Sequence, residues 1–252
     1  MATEKTPFRT RLQSGERLVG TFVKTPTIHA VEILGQVGYD FVVLDAEHAP
    51  LDRSQIDVML FAARACNVAG LVRVSQVSEI LGVLDSGAAG VLVPHVSSPE
   101  RAREVAQAAR YRGGKRGYSG STRSSLYGGG TVWGTVDRED AQTTVIAMIE
   151  DPEAVEDIEA IAKVEGIDAF FIGRGDLTVA YGAPKNDAPV IVDAVRRISA
   201  AARANGKAVA VMVGAPEEAK AFVEFGATAY IVSTDQGFLR KAAAAALAGM
   251  RG

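Results

Sequence analysis

The sequence predicts a single (β/α)8 barrel. Four times a helical stretch ends in glycine and an apolar strand begins shortly afterwards, at Gly38, Gly87, Gly166 and Gly226. Glycine suits the left-handed position just past a helix C-terminus. A strand that is apolar throughout is typical of a parallel sheet covered on both faces. The chain has 252 residues, which is a common length for one such barrel. A doubly wound open sheet is the alternative.

The same pattern gives eight strands in order. They are expected at about 18–23, 41–45, 70–74, 90–94, 144–150, 168–173, 208–213 and 229–233. Two helices have clear starts, because Ser98-Pro99-Glu100 and Asp151-Pro152-Glu153 each combine a capping residue, a first-turn proline and an acid. Asp151 is therefore expected to cap the helix that follows it. A last helix is expected at about 236–250.

One long segment does not fit the repeat. Residues 111–143 contain RYRGGKRGYSGSTRSSLYGGGTVWG, which is rich in glycine, serine and basic residues. A loop of this length inside a compact domain is usually functional or mobile. We expect it to be a lid over a site or a contact between subunits.

Composition excludes several classes of protein. The net charge of -3 gives no electrostatic footprint for nucleic acid or for an acidic membrane. The single cysteine, Cys66, lies in an apolar stretch and is expected to be a core residue in a reducing compartment. The sequence shows no secretion signal and no apolar run long enough to span a membrane, so a cytoplasmic location is expected.

Polar residues collect where the strands end. In a barrel of parallel strands the site lies at the C-terminal ends of the strands. The residues at those ends are Asp45, Glu47 and His48 after the second strand, Arg73 in the third, His95 after the fourth, Glu150 and Asp151 after the fifth, and Arg174 and Asp176 after the sixth. A purely structural barrel does not need this clustering, which therefore predicts an active site.

Two of these acids predict a metal site. Glu150 and Asp176 end neighbouring strands, and two carboxylates that face one point repel each other unless a cation lies between them. Carboxylates and waters are the ligands that a hard divalent ion such as Mg²⁺ or Mn²⁺ prefers. The competing interpretation is that Glu150 only caps the next helix.

The other polar residues suggest proton transfer beside an anion. Asp45 next to His48 is expected to bond one ring nitrogen and raise the basicity of the other. Arg73 in the apolar strand LVRV requires an anionic partner, either a substrate carboxylate or enolate, or a salt bridge to Asp45 or Glu47. A metal, a base and a cation together indicate enolate chemistry on a 2-oxo acid.

The motifs DAEHAP, LVRV, GVLVPHV, RYRGGKRG, MIEDPEAV and FIGRGDL resemble, in order and spacing, the HpcH/HpaI family of metal-dependent pyruvate aldolases. The resemblance covers about residues 16–245. It implies a (β/α)8 barrel that binds Mg²⁺, Mn²⁺ or Co²⁺ and cleaves 4-hydroxy-2-oxo acids to pyruvate and an aldehyde. It also implies a homo-oligomer, a hexamer or a trimer, in which the last helix packs on a neighbouring subunit.

The resemblance also implies roles for individual residues. Glu150 and Asp176 would bind the metal, His48 would be the base, Asp45 would orient it and Asp85 in VLDSG would raise its basicity, Arg73 would stabilise the enolate, and the amides of Gly175 and Asp176 would bind the substrate carboxylate. Three positions depart from the family pattern: Met148 replaces a common glutamine beside the substrate, Arg174 stands in the loop before Asp176, and His95 replaces an apolar residue.

Three other functions remain open at this point. An acyl-CoA lyase of the same superfamily would need a nucleotide site, and none is evident in the sequence. A Schiff-base aldolase would need a lysine at a strand's C-terminal end, where only Lys24 qualifies, since Lys207 opens strand seven at the wrong end. A non-catalytic barrel used as a binding scaffold would have no use for the clustered charges.

Overall fold

In the computed structural model, which describes residues 6–252, eight parallel strands close into a barrel in chain order. The strands are β1 (Leu18–Val23), β2 (Phe41–Asp45), β3 (Ala69–Arg73), β4 (Gly90–Val93), β5 (Thr144–Ile149), β6 (Ala169–Ile172), β7 (Ala208–Val213) and β8 (Ala227–Thr234). The closed barrel confirms the predicted fold and excludes the open sheet. Three predicted strands, 18–23, 41–45 and 208–213, have these same bounds, and the ends of the other five differ by at most two residues.

One helix precedes β1, and helices follow each of the eight strands around the barrel. They are α1 (Phe8–Gln13), α2 (Ile28–Val37), α3 (Arg53–Ala65), α4 (Ile80–Asp85), α5 (Pro99–Ala109), α6 (Val132–Gln142), α7 (Pro152–Glu156), α8 (Ile158–Ala162), α9 (Arg174–Ala180), α10 (Pro189–Ala204), α11 (Pro216–Val223) and α12 (Asp235–Arg251). The four glycines that predicted the repeat have positive φ angles, of 102° at Gly38, 87° at Gly87, 88° at Gly166 and 82° at Gly226. Residues with a side chain rarely adopt this conformation, which confirms the role assigned to glycine.

Alternate residues of each strand point into the barrel, and these form an apolar interior. Phe22, Met148 and Phe171 belong to that interior. The residues that alternate with the inward ones along each strand pack outward against the helices. The two-residue period of a strand continues past its end. The next inward residue after Met148 is Glu150, so the strand itself carries this acid to the mouth of the barrel.

A short helix closes the opposite end of the barrel. Phe8 and Leu12 of α1 join the apolar interior, and the Phe8 ring centroid lies 5.1 Å from that of Phe41. Arg9 Nε donates to Asp168 Oδ1 at 2.8 Å at the start of β6. This helix was not among the predicted elements. It gives the barrel a floor, so that substrate access is from the strand C-termini.

The segment 111–143 is partly helical and lies on the floor side, which differs from the prediction of a loop over the site. Helix α5 carries the chain back from the mouth to the floor, as helices in parallel barrels do. Ser124 N then donates to the carbonyl of Asp85 at 3.2 Å, and Arg110 pairs with Asp168 at 3.0 Å. Helix α6 completes the segment. Residues 111–143 therefore do not cover the mouth of their own barrel. Their role in subunit contacts stays a prediction.

The last helix, α12, has little contact with the barrel. Its Phe238 ring lies 6.3 Å from Tyr39, while Leu239 is 71% exposed and Met250 88% exposed. The helix spans Asp235–Arg251, close to the predicted 236–250. Among residues 6–252, no helix combines the length and the apolar character needed to cross a membrane.

Candidate active site

Four strands place a charged side chain directly above the apolar interior. Lys24, Asp45, Arg73 and Glu150 each stand two residues after the last inward apolar residue of their strand, namely Phe22, Val43, Leu71 and Met148. Because the strands are parallel and side by side, these groups meet at one end of the barrel. The mouth of the barrel is therefore charged, whereas the layer of side chains beneath it is apolar.

Asp45 and Arg73 form a buried two-point salt bridge. Arg73 Nε donates to Asp45 Oδ1 at 2.9 Å and Nη2 donates to Oδ2 at 2.6 Å. Lys24 Nζ lies 3.2 Å from Oδ2. Burial tends to raise the pKa of Asp45, but the hydrogen bonds and charge of Arg73 outweigh it and hold that pKa below its usual value. The salt bridge that the sequence left as an alternative for Arg73 is thus present.

His48 is held differently from the predicted arrangement. Asp45 Oδ1 accepts from the backbone N–H of His48 at 3.0 Å rather than from its ring, because Arg73 and this turn already occupy the carboxylate. The acid beside the ring is Glu47, whose Oε2 lies 3.6 Å from His48 Nε2 and 3.4 Å from Arg73 Nη1. Glu47 therefore links His48 to Arg73.

Glu150 is the most perturbed acid of the mouth. It is only 3% exposed, and Oε1 accepts the backbone N–H of His95 at 2.9 Å. Burial, helped by the negative charge of Asp176, raises the pKa of Glu150 to about 7. Asp176 lies in the first turn of α9 and is exposed. The structure thus brings the two predicted metal ligands near each other.

The surroundings of Glu150 fit a hard divalent cation. A Cβ placed on Gly173 would lie 2.5 Å from Glu150 Cβ and 2.7 Å from Oε2, so only glycine leaves room for this carboxylate. The two acids offer oxygen donors only, which suits Mg²⁺ or Mn²⁺ better than softer ions. Within residues 6–252 no cluster of three or more His, Cys, Asp or Glu side chains forms a metal cage. Water or substrate oxygens would have to complete the coordination.

His95 and Asp151 form the Asp–His pair that the sequence had placed at Asp45 and His48. His95 Nδ1 lies 3.1 Å from Asp151 Oδ1 and 3.7 Å from Glu150 Oε1. The Asp151 side chain was predicted to cap helix α7, but it makes no capping hydrogen bond. Burial opposes protonation of His95, yet Asp151, Glu150 and Glu47 together raise the pKa of the imidazole above its ordinary value.

Arg174 is held between the end of β7 and helix α11. Its Nη2 donates to the carbonyl of Met212 and to Glu218 Oε1, each at 2.7 Å, and its guanidinium lies over the Phe222 ring at 4.6 Å. Arg174 therefore ties the turn before Asp176 to β7 and α11. It adds no free charge to the pocket.

The remaining predicted residues have distinct positions. Met148 is buried in the barrel interior beneath Glu150, and Gly175 is exposed in the first turn of α9. Asp85 ends helix α4 on the floor side, where its Oδ1 lies 3.6 Å from Arg116 Nη2. Within one chain, Asp85 and His48 are at opposite ends of the barrel. Lys207 donates to the carbonyls of Val164 and Ile167 at 2.8 Å, also at the floor.

The sequence offered Glu47 only as a possible partner of Arg73, and it gave no role to Gly173. The two-residue period of the strands would have found Gly173, because it follows Phe171 as Glu150 follows Met148. Glu47 carries no such signal. It lies in the turn after β2, and only the folded chain shows that it contacts both Arg73 and His48.

The fold and this mouth define a (β/α)8 barrel that collects buried acids, histidines and an arginine at the C-terminal ends of its strands. The chain belongs to the HpcH/HpaI aldolase/citrate lyase family, whose model matches residues 18–242. It is therefore a member of a family of aldolases and lyases, as its motifs indicated.

Similar proteins agree with this membership. A 5-keto-4-deoxy-D-glucarate aldolase of Klebsiella pneumoniae subsp. pneumoniae is 33% identical over 239 residues, 93% of each chain. A HpcH/HpaI aldolase/citrate lyase family protein from Burkholderia cenocepacia is 29% identical, with a TM-score of 0.91 over 97% of this chain and 98% of that one. The citrate synthase SbnG is 28% identical, with a TM-score of 0.89 over 97% of both chains.

Proposed function

We propose that this protein is a divalent-metal-dependent aldolase. It would reversibly cleave 4-hydroxy-2-oxo acids to pyruvate, or hydroxypyruvate, and an aldehyde. The observation that carries the proposal is the buried Glu150, whose pKa is raised to about 7 beside Asp176. A carboxylate kept in this position is costly unless a cation neutralises it, and a cation there is what enolate formation needs.

Glu150 and Asp176 would hold the metal, which is Mg²⁺, Mn²⁺ or Co²⁺ by resemblance to the family. When bound, the ion supplies polarisation of the 2-oxo group of the substrate. The backbone amides of Gly175 and Asp176 would bind the substrate carboxylate. Buried Met148 offers an apolar surface beneath this position.

Arg73 would hold the negative charge of the enolate. Two of its nitrogens are fixed by Asp45, so the guanidinium is kept at the mouth without rotational freedom. A cation already positioned where charge develops stabilises the transition state at no cost in reorganisation. Asp45 therefore positions Arg73 as well as the turn that carries His48.

His48 would move the proton at the methyl carbon of pyruvate, with Glu47 orienting its ring. The side chain of His48 is 59% exposed, so a substrate can approach it. Asp85 would assist His48 only if it came from a second chain, because the two residues lie at opposite ends of one barrel.

The relatives suggest a first substrate and a rival reaction. The 5-keto-4-deoxy-D-glucarate aldolases make that sugar acid the first candidate for cleavage. The similarity to the citrate synthase SbnG supports a second candidate function. In that function the same enolate chemistry would act on a carboxylic acid acceptor. An acyl-CoA lyase remains the alternative within the superfamily, and a binding scaffold the alternative outside it. Lys24 Nζ is salt-bridged to Asp45 Oδ2 at 3.2 Å, a contact that a Schiff base with substrate would have to break.

Proton exchange at the methyl group of pyruvate tests the proposal without knowledge of the aldehyde. The protein in D₂O would be followed by NMR with Mn²⁺ or Mg²⁺ and then with excess chelator. We expect exchange that requires the metal and is lost in His48→Ala. Exchange that survives chelation would point to Lys24, and no exchange under either condition would rule out a pyruvate aldolase and direct the search to CoA thioesters or citrate.

A further inference from the structure

The backbone at His95 is held in an uncommon conformation. Its φ angle is 51°, in the left-handed region that residues with a side chain rarely adopt. The conformation is fixed from one side, because the His95 N–H donates to Glu150 Oε1 at 2.9 Å. Such strain persists only where the surroundings impose it. The imidazole is therefore presented at a set position beside Glu150.

Asp151 fixes the orientation of the ring. Both of its oxygens lie near Nδ1, at 3.1 and 3.3 Å. A carboxylate only accepts hydrogen bonds, so Nδ1 carries the proton of this pair and Nε2 is left for a different partner. Asp151 stands at the N-terminus of α7, where an aspartate ordinarily caps the helix, yet its side chain holds His95 instead.

The opposite nitrogen of the ring is open to the mouth. The side chain of His95 is 60% exposed, and Nε2 has no hydrogen-bond partner within the described part of the chain. It stands on the β4 side of Glu150, whereas Asp176 stands on the β6 side. The groups assigned to the 2-oxo acid leave this nitrogen unused.

We propose that His95, oriented by Asp151, binds the C4 oxygen of the 4-hydroxy-2-oxo acid through Nε2. This inference rests on the proposed function and adds the group that recognises the aldehyde half of the substrate. The C4 oxygen forms a hydrogen bond with Nε2, which aligns the C3–C4 bond next to the enolate-forming carbons. His95 has no contact to make with pyruvate alone, since pyruvate lacks this oxygen.

Two reactions of the metal-loaded protein separate this role from a structural one. The first is methyl exchange of pyruvate in D₂O, and the second is addition of pyruvate to glycolaldehyde, both followed by NMR. His95→Asn tolerates the left-handed backbone but is too short to reach the oxygen. His95→Gln restores a hydrogen-bonding group nearer to the place of Nε2.

We expect His95→Asn to leave exchange within about twofold of the unchanged protein and to lower kcat/KM for glycolaldehyde by roughly 10- to 100-fold, the usual effect of one lost hydrogen bond to substrate. His95→Gln is expected to recover part of that loss. Asp151→Asn is expected to lower addition more than exchange. His29→Phe, a change of an exposed histidine on α2, serves as the matched control and should alter neither reaction.

Each other outcome counts against the proposal. Equal loss of both reactions in His95→Asn would mean that His95 acts only by supporting Glu150. No loss of addition would mean that Nε2 does not touch the aldehyde half. If the unchanged protein shows no metal-dependent exchange, the proposed function itself fails, a result that is visible before any variant is made.

Discussion

At the scale of single residues, the site contains charged side chains in buried positions. Asp45 is 0% exposed and Arg73 is 8% exposed, so each charge is stabilised by the other rather than by water. Breaking a buried pair by removing one partner typically costs 3–5 kcal/mol, because the other charge is left uncompensated. The pair therefore fixes both the cation of the site and the turn that carries His48.

A double-mutant cycle measures this dependence. We expect Arg73→Met to lower the free energy of unfolding by about 3 kcal/mol, and Arg73→Met with Asp45→Asn to cost less than the sum of the single changes. Urea denaturation of the four proteins gives the coupling. Additive effects would mean that Lys24, 3.2 Å from Asp45, supports the carboxylate by itself.

Glu150 predicts a pH dependence of the metal-free protein. Its pKa is raised from 4.5 to about 7, so between these values the folded chain binds more protons than the unfolded chain. Stability from this group is fully present below pH 4.5 and is lost as the pH rises through 7. The loss is about 2–3 kcal/mol. Urea denaturation with chelator from pH 5 to 8 should show it, and Glu150→Gln should remove this part of the slope.

In the proposed function, the same group also binds the metal. Binding requires the ionised carboxylate, so the affinity for Mn²⁺ should fall by up to about tenfold per pH unit below pH 7. Calorimetry in buffers of different ionisation enthalpy would detect the released proton. An affinity independent of pH between 5.5 and 7 would contradict the assignment of Glu150 as a ligand.

At the scale of elements, the turn between β6 and α9 is the most constrained part of the site. Gly173 leaves space for Glu150, and Arg174 anchors the turn to Glu218, which in turn accepts the N–H of Gly214 at 2.7 Å. The turn is thus held against both neighbouring strands. This anchoring fixes the positions of Asp176 and of the backbone amides beside it.

Gly173→Ala tests how much the turn depends on this space. The new Cβ would lie 2.5 Å from Glu150 Cβ, so the turn or the acid must move. We expect a loss of 1–3 kcal/mol in unfolding free energy, as for other overpacked sites, and weaker Mn²⁺ binding. Gly249→Ala is the control, since a Cβ there meets no atom within 4 Å. Unchanged Mn²⁺ affinity in Gly173→Ala would show that Glu150 tolerates the shift.

At the scale of the whole molecule, α12 leaves apolar side chains without a partner in one chain. Leu239 and Met250 lie on this helix and are largely exposed, and none of its residues is buried. Exposed apolar surface of this kind marks an interface. The prediction of a homo-oligomer, a trimer or a hexamer, is consistent with it.

Sedimentation of the full chain tests the oligomer. We expect a mass three or six times the 26.4 kDa of one chain. Leu239→Glu with Met250→Glu should lower that mass, because it places charge in the apolar surface. Lys241→Glu, an exposed charge change on the same helix, should leave it unaltered. A monomeric unchanged protein would refute the prediction.

What the sequence by itself determined is local and periodic. The glycines after helices, the strands apolar on both faces and the period of two that carries Glu150 and Arg73 past the interior gave the barrel and most of its mouth. Each depends on backbone geometry within a few residues.

Only the tertiary structure decided which charges pair and which end of the barrel a segment occupies. Arg73 claims both oxygens of Asp45, and Asp151 turns from its helix to His95. Residues 111–143 lie on the floor because α5 returns the chain there. A carboxylate has several possible partners of similar strength along the sequence. The partner that it takes is the one that the packed strands bring within hydrogen-bonding distance, so a choice among them requires the fold.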